Sequence, residues 1–152
     1  MTKNKPDILI VEDDASIRET LSIILQQKGY TTDTAKNGKE AIQKSKAKFF
    51  NIALLDIKLP DMEGTKLLTV IHENTPKMVK IMVTGYPSLE NAVEALNLGA
   101  DAYIIKPVQP EKLLALIEEK LEKQRKAEKM TEGKVTEWIK TRARKLEGDI
   151  QN

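Results

Sequence analysis

The sequence predicts a doubly wound α/β fold, in which helices cover both faces of a five-stranded parallel sheet and a helical extension follows at the C-terminus. Five short apolar runs alternate with amphipathic helical patterns over roughly the first 120 residues. The apolar runs lack the regular polar alternation of a sheet that faces water on one side. They are therefore expected to form strands that are buried on both faces.

The first two strand–helix units occupy the N-terminal third of the chain. Residues 8–11 predict an apolar strand, and the helix after it presents apolar residues on one face and ends at Gly29. Asp14 is expected to cap the start of that helix. Residues 30–35 are rich in threonine and predict a more exposed strand, and the second helix ends near Phe49.

The third unit begins with a buried strand at residues 52–55, which is followed directly by Asp56. Pro60 and Gly64 mark the loop that leads to the third helix. His72 is the only histidine of the chain and lies near the end of this helix. It is interpreted as an exposed helix-end residue.

The last two units repeat the same pattern. Residues 79–83 and 102–105 predict the fourth and fifth strands. Ser88 is a suitable N-cap for the helix between them, and Gly99 ends that helix. Pro110 suits the first turn of a final helix because proline lacks an amide hydrogen that this turn would leave unpaired.

The chain is expected to divide into a main domain, residues 5–122, and a helical C-terminal extension, residues 123–152. The last helix is predicted to continue to about residue 129 and to break at residues 131–133, where a glycine follows two polar residues. Another amphipathic helix, which carries Trp138, follows this break. The extension has an excess of Lys and Arg, whereas the main domain is nearly neutral.

The composition excludes several classes of protein. The net charge of +2 is too small to indicate nucleic-acid binding by itself, and the absence of cysteine excludes disulfides, thiolate metal sites and a cysteine nucleophile. No apolar stretch approaches the roughly 20 residues that a membrane helix needs, and the first residues do not resemble a signal peptide. We therefore expect a soluble, cytoplasmic protein that does not insert into a membrane.

Charged residues follow three of the predicted strands directly. Glu12 and Asp13 come after the first strand, Asp56 after the third and Lys106 after the fifth. Because the carboxyl ends of parallel strands meet at one edge of the sheet, these side chains are expected to share a pocket. Carboxylates gathered with one lysine indicate a metal-assisted reaction at a carboxylate.

Four sequence fragments, in this order and at strand ends, resemble the receiver domain of two-component response regulators, including the single-domain, CheY-like chemotaxis type. Glu12-Asp13 comes first, and the resemblance covers residues 5–122. The other fragments are Asp56-Ile57-Lys58-Leu59-Pro60 before Gly64, Thr84-Gly85-Tyr86, and Leu98-Gly99-Ala100-Asp101 before Tyr103-Ile104-Ile105-Lys106-Pro107. The resemblance implies a flavodoxin-like sheet with strand order 2-1-3-4-5.

The resemblance also implies that Asp56 accepts a phosphoryl group from a histidine of a partner protein. A carboxylate that attacks a phosphoryl group meets charge repulsion, which a divalent cation and a lysine can neutralise. Mg²⁺, or Mn²⁺, prefers oxygen ligands of the kind that Asp13 and Asp56 supply. The family pattern adds the backbone carbonyl of Lys58 as a ligand, and Glu12 is expected to act mainly through a metal-bound water.

Three further residues take roles from the same resemblance. Lys106 is expected to pair with a phosphoryl oxygen, and the peptide between Lys106 and Pro107 is expected to be cis. Thr84 is expected to donate its hydroxyl to the phosphoryl group. That movement leaves space for Tyr103 to rotate towards the interior and alters the face formed by the last two helices and the final strand.

Two other classes of protein share features with this chain. A phosphatase of the haloacid dehalogenase type needs a second aspartate two residues after the first, and Lys58 occupies that position. A flavin-binding module needs a phosphate-cradling loop after the first strand, where this chain carries acids. We therefore expect a signalling module that undergoes only self-phosphorylation and autodephosphorylation, and no other enzyme activity.

The expected partners are a sensor histidine kinase or phosphotransfer protein and a downstream protein target. The extension is too short for a winged-helix or helix-turn-helix domain, so we expect it to support a homodimer or partner docking. A basic C-terminal helix that contacts nucleic acid is the less favoured alternative. The sequence identifies neither the kinase, the input signal, the target, the oligomeric state nor the lifetime of the phosphoryl group.

Overall fold

The chain in this computed structural model alternates strands and helices through five units. The structure describes residues 5–151, with side chains through residue 146. The strands are β1 (Asp7–Val11), β2 (Thr31–Ala35), β3 (Ile52–Asp56), β4 (Val79–Thr84) and β5 (Ala102–Ile105). The helices are α1 (Ala15–Gln27), α2 (Gly38–Ala47), α3 (Gly64–Asn74), α4 (Leu89–Asn97) and α5 (Pro110–Gln151).

The five strands form one parallel sheet with the order β2-β1-β3-β4-β5. The chain runs outward from β1 to β2 and then resumes at β3 on the other side of β1. The strand order therefore reverses between β1 and β3, and ligands of such sheets bind beyond the carboxyl ends at this point. The predicted doubly wound fold and its strand order are confirmed.

The register of the sheet aligns the carboxyl ends of four strands. Val11 pairs with Leu55, so the residue after β1 lies beside Asp56. Thr84 pairs with Ile105, so the residue after β5 lies beside the end of β4. The parallel register thus brings the predicted site residues to one edge of the sheet before any side chain is considered.

Burial of the strands follows the hydrophobic pattern. The central strand β3 is buried along its whole length, whereas β2 is mostly half-buried, as its threonines predict. The main core cluster lies where α2, α3 and α4 pack on the sheet. Its largest members include Phe50, Leu67, Leu68, Ile71 and Met82.

Side chains cap three of the helices at their N-termini. Asp14 accepts a hydrogen bond from the amide of Ile17 at 3.0 Å, and Ser88 accepts one from Asn91 at 3.0 Å. Both caps were predicted from the sequence, and each satisfies an amide that the helix itself leaves unpaired. Gly99, at φ +110°, lies in the left-handed region that glycine tolerates best, so it can end α4.

The predicted break at residues 131–133 is wrong, because α5 continues without interruption from Pro110 to Gln151. A glycine inside a helix costs only about 1 kcal/mol relative to alanine, and the hydroxyl of Thr131 bonds back to the carbonyl of Ala127 at 3.0 Å.

One compact unit of the chain ends at Glu118 and a second begins at Glu119. None of the helices in the described part of the chain is long and apolar enough to span a membrane.

Lys80 on β4 is buried, with 1% of its surface exposed, although the sequence suggested an apolar strand there. Its ammonium donates to Nδ1 of His72 on α3 at 2.8 Å and to the carbonyl of Pro76 at 3.2 Å. The expectation that His72 is exposed is therefore wrong: the ring is half-buried and packs against Gly99, where a Cβ would lie 2.6 Å from it. Burial lowers the pKa of Lys80, and the charge of Asp101 opposes that shift.

We predict that His72→Ala destabilises the protein by roughly 1–3 kcal/mol, because the buried ammonium loses an acceptor. Lys80→Met in the same background should recover most of that loss, since the charge that needs the acceptor is gone. Urea denaturation measures both changes, and Lys66→Met on the exposed side of α3 is the control. A double variant as unstable as His72→Ala alone would contradict the pairing.

Candidate functional site

Asp56 ends the buried strand β3 and has only 6% of its surface exposed. Its Oδ1 accepts a hydrogen bond from the amide of Lys58 at 3.3 Å, and its Oδ2 accepts one from the ammonium of Lys106 at 3.2 Å. The loop after Asp56 folds back closely: a Cβ on Gly64 would lie 2.1 Å from the carbonyl oxygen of Asp56. Only glycine fits there, so Gly64 allows the loop to shape the pocket.

Three carboxylates converge at this edge of the sheet. Glu12, Asp13 and Asp56 each offer an oxygen, and these oxygens lie within 4.8 Å of one another. Glu12 and Asp56 are buried, whereas Asp13 is exposed. Hard divalent cations prefer such oxygen ligands, and Mg²⁺ keeps several waters, which suits a cluster that is open on the Asp13 side. The residues present thus fit a divalent cation.

The ammonium of Lys106 lies against two of these carboxylates. It is 2.5 Å from Oε1 of Glu12 and 3.2 Å from Oδ2 of Asp56. The amide of Lys106 donates to the carbonyl of Thr84 at 2.7 Å, which fixes the backbone that carries the lysine. The Lys106–Pro107 peptide is cis.

Burial and mutual repulsion shift the proton affinities of the cluster. Burial, together with the hydrogen bond and the charge of Asp56, raises the pKa of Glu12 to about 7, although Lys106 acts to lower it. Burial by itself lowers the pKa of Lys106, but its hydrogen bond to Glu12 and the charges of Asp56 and Glu12 raise it above the ordinary value. Lys106 is therefore charged, whereas Glu12 binds a proton readily near neutral pH.

The two predicted switch residues lie on neighbouring strands. Thr84 is fully buried, and its hydroxyl oxygen accepts a hydrogen bond from the amide of Tyr86 at 2.9 Å. Tyr103 packs against the core, and its buried hydroxyl has no hydrogen-bond partner among the described residues. An unpaired buried hydroxyl costs roughly 1–3 kcal/mol. Packing of the Tyr103 ring must therefore outweigh the cost of leaving its hydroxyl without a hydrogen bond.

Two loops that follow neighbouring strands make a contact that the sequence did not predict. The ammonium of Lys58 lies 4.2 Å from the ring centre of Tyr86. Both side chains are exposed, so the contact contributes about 0.5–1 kcal/mol. It joins the loop after β3 to the loop after β4.

Two further contacts hold the loops of the site. Arg18 on α1 donates to the carbonyl oxygens of Glu12 and Asp13. Asp61, in the loop after β3, accepts hydrogen bonds from two amides at the start of α2, those of Gly38 and Lys39. Local sequence patterns do not reveal these contacts, because Asp61 and Gly38 are 23 residues apart and only the folded sheet brings them together.

We predict that the metal-free protein loses stability as the pH rises from about 4.5 to about 7. The pKa of Glu12 is raised from 4.5 in the folded state. In this pH window the folded state therefore keeps a proton on Glu12, whereas the unfolded state has released it. The change can reach about 3 kcal/mol, and Glu12→Gln should remove most of it. Urea denaturation at several pH values in EDTA measures it, with Glu19→Gln, an exposed glutamate of α1, as the control. Equal slopes in wild type and Glu12→Gln would contradict the assignment.

Comparison with known proteins supports one family. The family model of the response regulator receiver domain matches residues 8–118. A crystal structure of a CheY-like response regulator receiver domain protein from Methanospirillum hungatei JF-1 is 53% identical, with a TM-score of 0.80 over 82% of this chain and 99% of that chain. Chemotaxis protein CheY4 from Vibrio cholerae is 30% identical, with a TM-score of 0.73 over 76% of this chain and 98% of that chain.

A longer relative matches over the same region. The transcriptional regulatory protein ZraR from Escherichia coli (strain K12) is 36% identical over 121 residues, which are 80% of this chain and 27% of ZraR. The chain thus spans less than a third of the length of this relative. The residues that match are those of the sheet, the helices around it and the pocket at its carboxyl edge, and on this basis the chain belongs to the response regulator receiver domain family of two-component systems.

Proposed function

We propose that this chain is a phospho-accepting response regulator, in which Asp56 takes a phosphoryl group from a histidine kinase or phosphotransfer protein. The observation that supports this best is the placement of Asp56, which lies buried between the carboxylates of Glu12 and Asp13 and the ammonium of Lys106. A carboxylate that only faced solvent after a strand would need none of these partners.

The proposed transfer forms one bond and breaks another. An oxygen of Asp56 attacks the phosphorus of a phosphohistidine whose ring carries a proton on its other nitrogen. The phosphorus–nitrogen bond breaks, and the imidazole leaves as a neutral ring. The product is an acyl phosphate on Asp56. Lys106 already contacts Oδ2 of Asp56, so its charge lies where it can offset the negative charge that develops on the phosphoryl oxygens.

The carboxylates of Glu12, Asp13 and Asp56 and the backbone carbonyl of Lys58 are the groups that would hold Mg²⁺ or Mn²⁺. When bound, such a cation neutralises phosphoryl charge and orients the phosphoryl group. Glu12 holds a proton readily in the absence of a cation, and a carboxylate must be deprotonated to bind one. Glu12 is thus suited to bind through water rather than as the principal ligand.

The proposed switch connects Asp56 to the face made by α4, β5 and the start of α5. The hydroxyl of Thr84 turns from the amide of Tyr86 towards the phosphoryl group, which draws the loop after β4 inward. Tyr103 responds because its hydroxyl has no competing partner in the described structure. On α4, Leu89, Val93 and Leu96 are exposed and offer an apolar surface for a downstream target.

In this proposal the protein is a cytoplasmic signalling module. It phosphorylates and dephosphorylates only itself and acts on no other substrate. A phosphatase of the haloacid dehalogenase type would need an acid where Lys58 stands, and Lys58 instead lies over the ring of Tyr86. A flavin site would need donors for a phosphate group near Glu12 and Asp13, and carboxylates repel phosphate there.

We predict that acetyl phosphate with Mg²⁺ adds the mass of one phosphoryl group to the wild-type protein and none to Asp56→Asn. Intact-mass spectrometry measures the gain. Borohydride reduction of the acyl phosphate, followed by peptide mapping, locates the modified residue. Asp33→Asn on β2 is the matched control and should label as the wild type does. Labelling of Asp56→Asn equal to wild type would overturn the proposed function, and EDTA should abolish the labelling of the wild type.

The second compact unit of the chain carries exposed apolar side chains along α5. Val135, Trp138, Ile139 and Leu146 are exposed, and their spacing places them on one helical face. Arg142 lies 5.0 Å from the ring centre of Trp138. We propose that residues 123–152 form the extension and residues 5–122 the receiver, and that this face supports a homodimer. Contact with nucleic acid is the less favoured alternative, since exposed basic residues more often face water.

We predict that the full chain is dimeric under conditions in which a 1–122 truncation is monomeric, with light scattering as the measurement. Trp138→Glu should weaken the dimer because it removes the largest exposed apolar side chain of the face. Thr141→Glu, a residue off that face, is the matched control. A monomer mass for the full chain as well as for the truncation, in both phosphorylation states, would exclude the dimer. Salt-dependent binding to DNA would favour the alternative.

A further inference from the structure

We infer that Arg18 is a positioning residue for cation binding: its guanidinium holds the backbone carbonyls of Glu12 and Asp13 and thereby sets the direction of their carboxylates. This inference rests on the proposed function in one respect, namely that a divalent cation binds at Glu12, Asp13 and Asp56. Arg18 contacts the backbone of Glu12 and Asp13 and acts through the loop after β1, not through a contact with the carboxylate oxygens that would bind the cation.

The contact is made by one nitrogen on two successive carbonyls. Nη1 of Arg18 lies 2.8 Å from the carbonyl oxygen of Glu12 and 3.3 Å from that of Asp13. Arg18 is itself fixed in the first turn of α1, where its amide donates to the carbonyl of Asp14 at 2.9 Å. The side chain of Arg18 is half-buried, so its path to the loop is restricted.

The loop needs such a contact because the sheet stops supporting it at Glu12. The amide of Glu12 makes the last bond to β2, to the carbonyl of Ala35 at 3.0 Å. Asp13 is exposed, so packing does not orient its carboxylate, and the backbone must do so. A guanidinium that binds both carbonyls fixes the peptide between Glu12 and Asp13. It therefore fixes the direction in which the side chain of Asp13 points from the backbone.

Charge and geometry predict opposite effects for Arg18. A positive charge near the site repels a divalent cation, so a residue that acted only through its charge would weaken cation binding, and its removal would tighten it. A residue that positions the carboxylates strengthens binding, and its removal weakens it. The sign of the change on neutralising Arg18 thus separates the two roles.

The test measures Mn²⁺ binding to the full-length protein without any phosphoryl donor. The EPR signal of free Mn²⁺ gives the Kd, and Mg²⁺ competition gives the Mg²⁺ affinity. Arg18→Gln removes the charge and the contact, whereas Arg18→Lys keeps the charge but replaces the planar guanidinium with a single ammonium. We expect both variants to bind Mn²⁺ roughly tenfold more weakly than the wild type.

Matched controls separate positioning from stability. Arg125→Gln and Arg125→Lys change an arginine of α5 that pairs only with Glu122 among the contacts described, and they should bind Mn²⁺ as the wild type does. Urea denaturation without metal checks that the Arg18 variants are folded at the temperature of the titration. If the Arg18 variants are unfolded at that temperature, the test uses NMR of the wild-type protein instead. Mg²⁺ should shift the side-chain ¹⁵N resonance of Arg18 and leave that of Arg125 unchanged.

Each outcome decides the inference. Weaker Mn²⁺ binding by both Arg18 variants, or a Mg²⁺-dependent shift of the Arg18 resonance, supports positioning. Equal or tighter binding by Arg18→Gln, binding by Arg18→Lys equal to wild type, or an unmoved Arg18 resonance overturns it while leaving the cation site in place. Absence of Mn²⁺ binding by the wild type overturns both the inference and the cation site of the proposed function.

Discussion

The ammonium of Lys106, held between the carboxylates of Glu12 and Asp56, is the interaction on which the functional edge of the sheet depends. Two carboxylates that are almost fully buried and close together would repel each other and lose their hydration. Lys106 supplies the opposite charge from the end of β5, which lies two places from β3 and three places from β1 in the sheet. It can do so only because β5 ends in register with β4, and because the amide of Lys106 bonds the carbonyl of Thr84. The ion pairs of the pocket therefore depend directly on the order and register of the strands.

The same edge is held by contacts that reach it from outside the sheet. Arg18 binds the loop after β1, and Asp61 ties the loop after β3 to the start of α2. The contact between Lys58 and Tyr86 joins the loop after β3 to the loop after β4. Flexible loops lose affinity for a ligand because ordering them costs conformational entropy. These contacts order the loops before any ligand arrives, which is a condition for a carboxylate cluster to bind a small, demanding cation such as Mg²⁺.

The sequence was sufficient for the fold because each strand and helix carries its own signal. Apolar runs, caps such as Asp14 and Ser88, and the acids at strand ends are local patterns, and the parallel topology follows from their alternation. Two predictions failed for different reasons. The break at residues 131–133 relied on a local signal too weak to end a helix, since Thr131 and a single glycine cost little. The interpretation of His72 as exposed failed because its partner Lys80 comes beside it only after α3 packs on β4, and no local pattern shows that a lysine in a strand is buried.

Lys80 also shows why burial of a charge does not by itself identify a functional site. Its ammonium is satisfied within the structure by the ring of His72 and the carbonyl of Pro76, so nothing further is needed there. The carboxyl edge is different, because three carboxylates face a single ammonium and the imbalance of charge persists even when Glu12 takes up a proton. A divalent cation would supply the positive charge that this cluster still lacks. The carboxyl edge therefore fits the proposed divalent cation, which would neutralise charge on the phosphoryl group that Asp56 is proposed to accept.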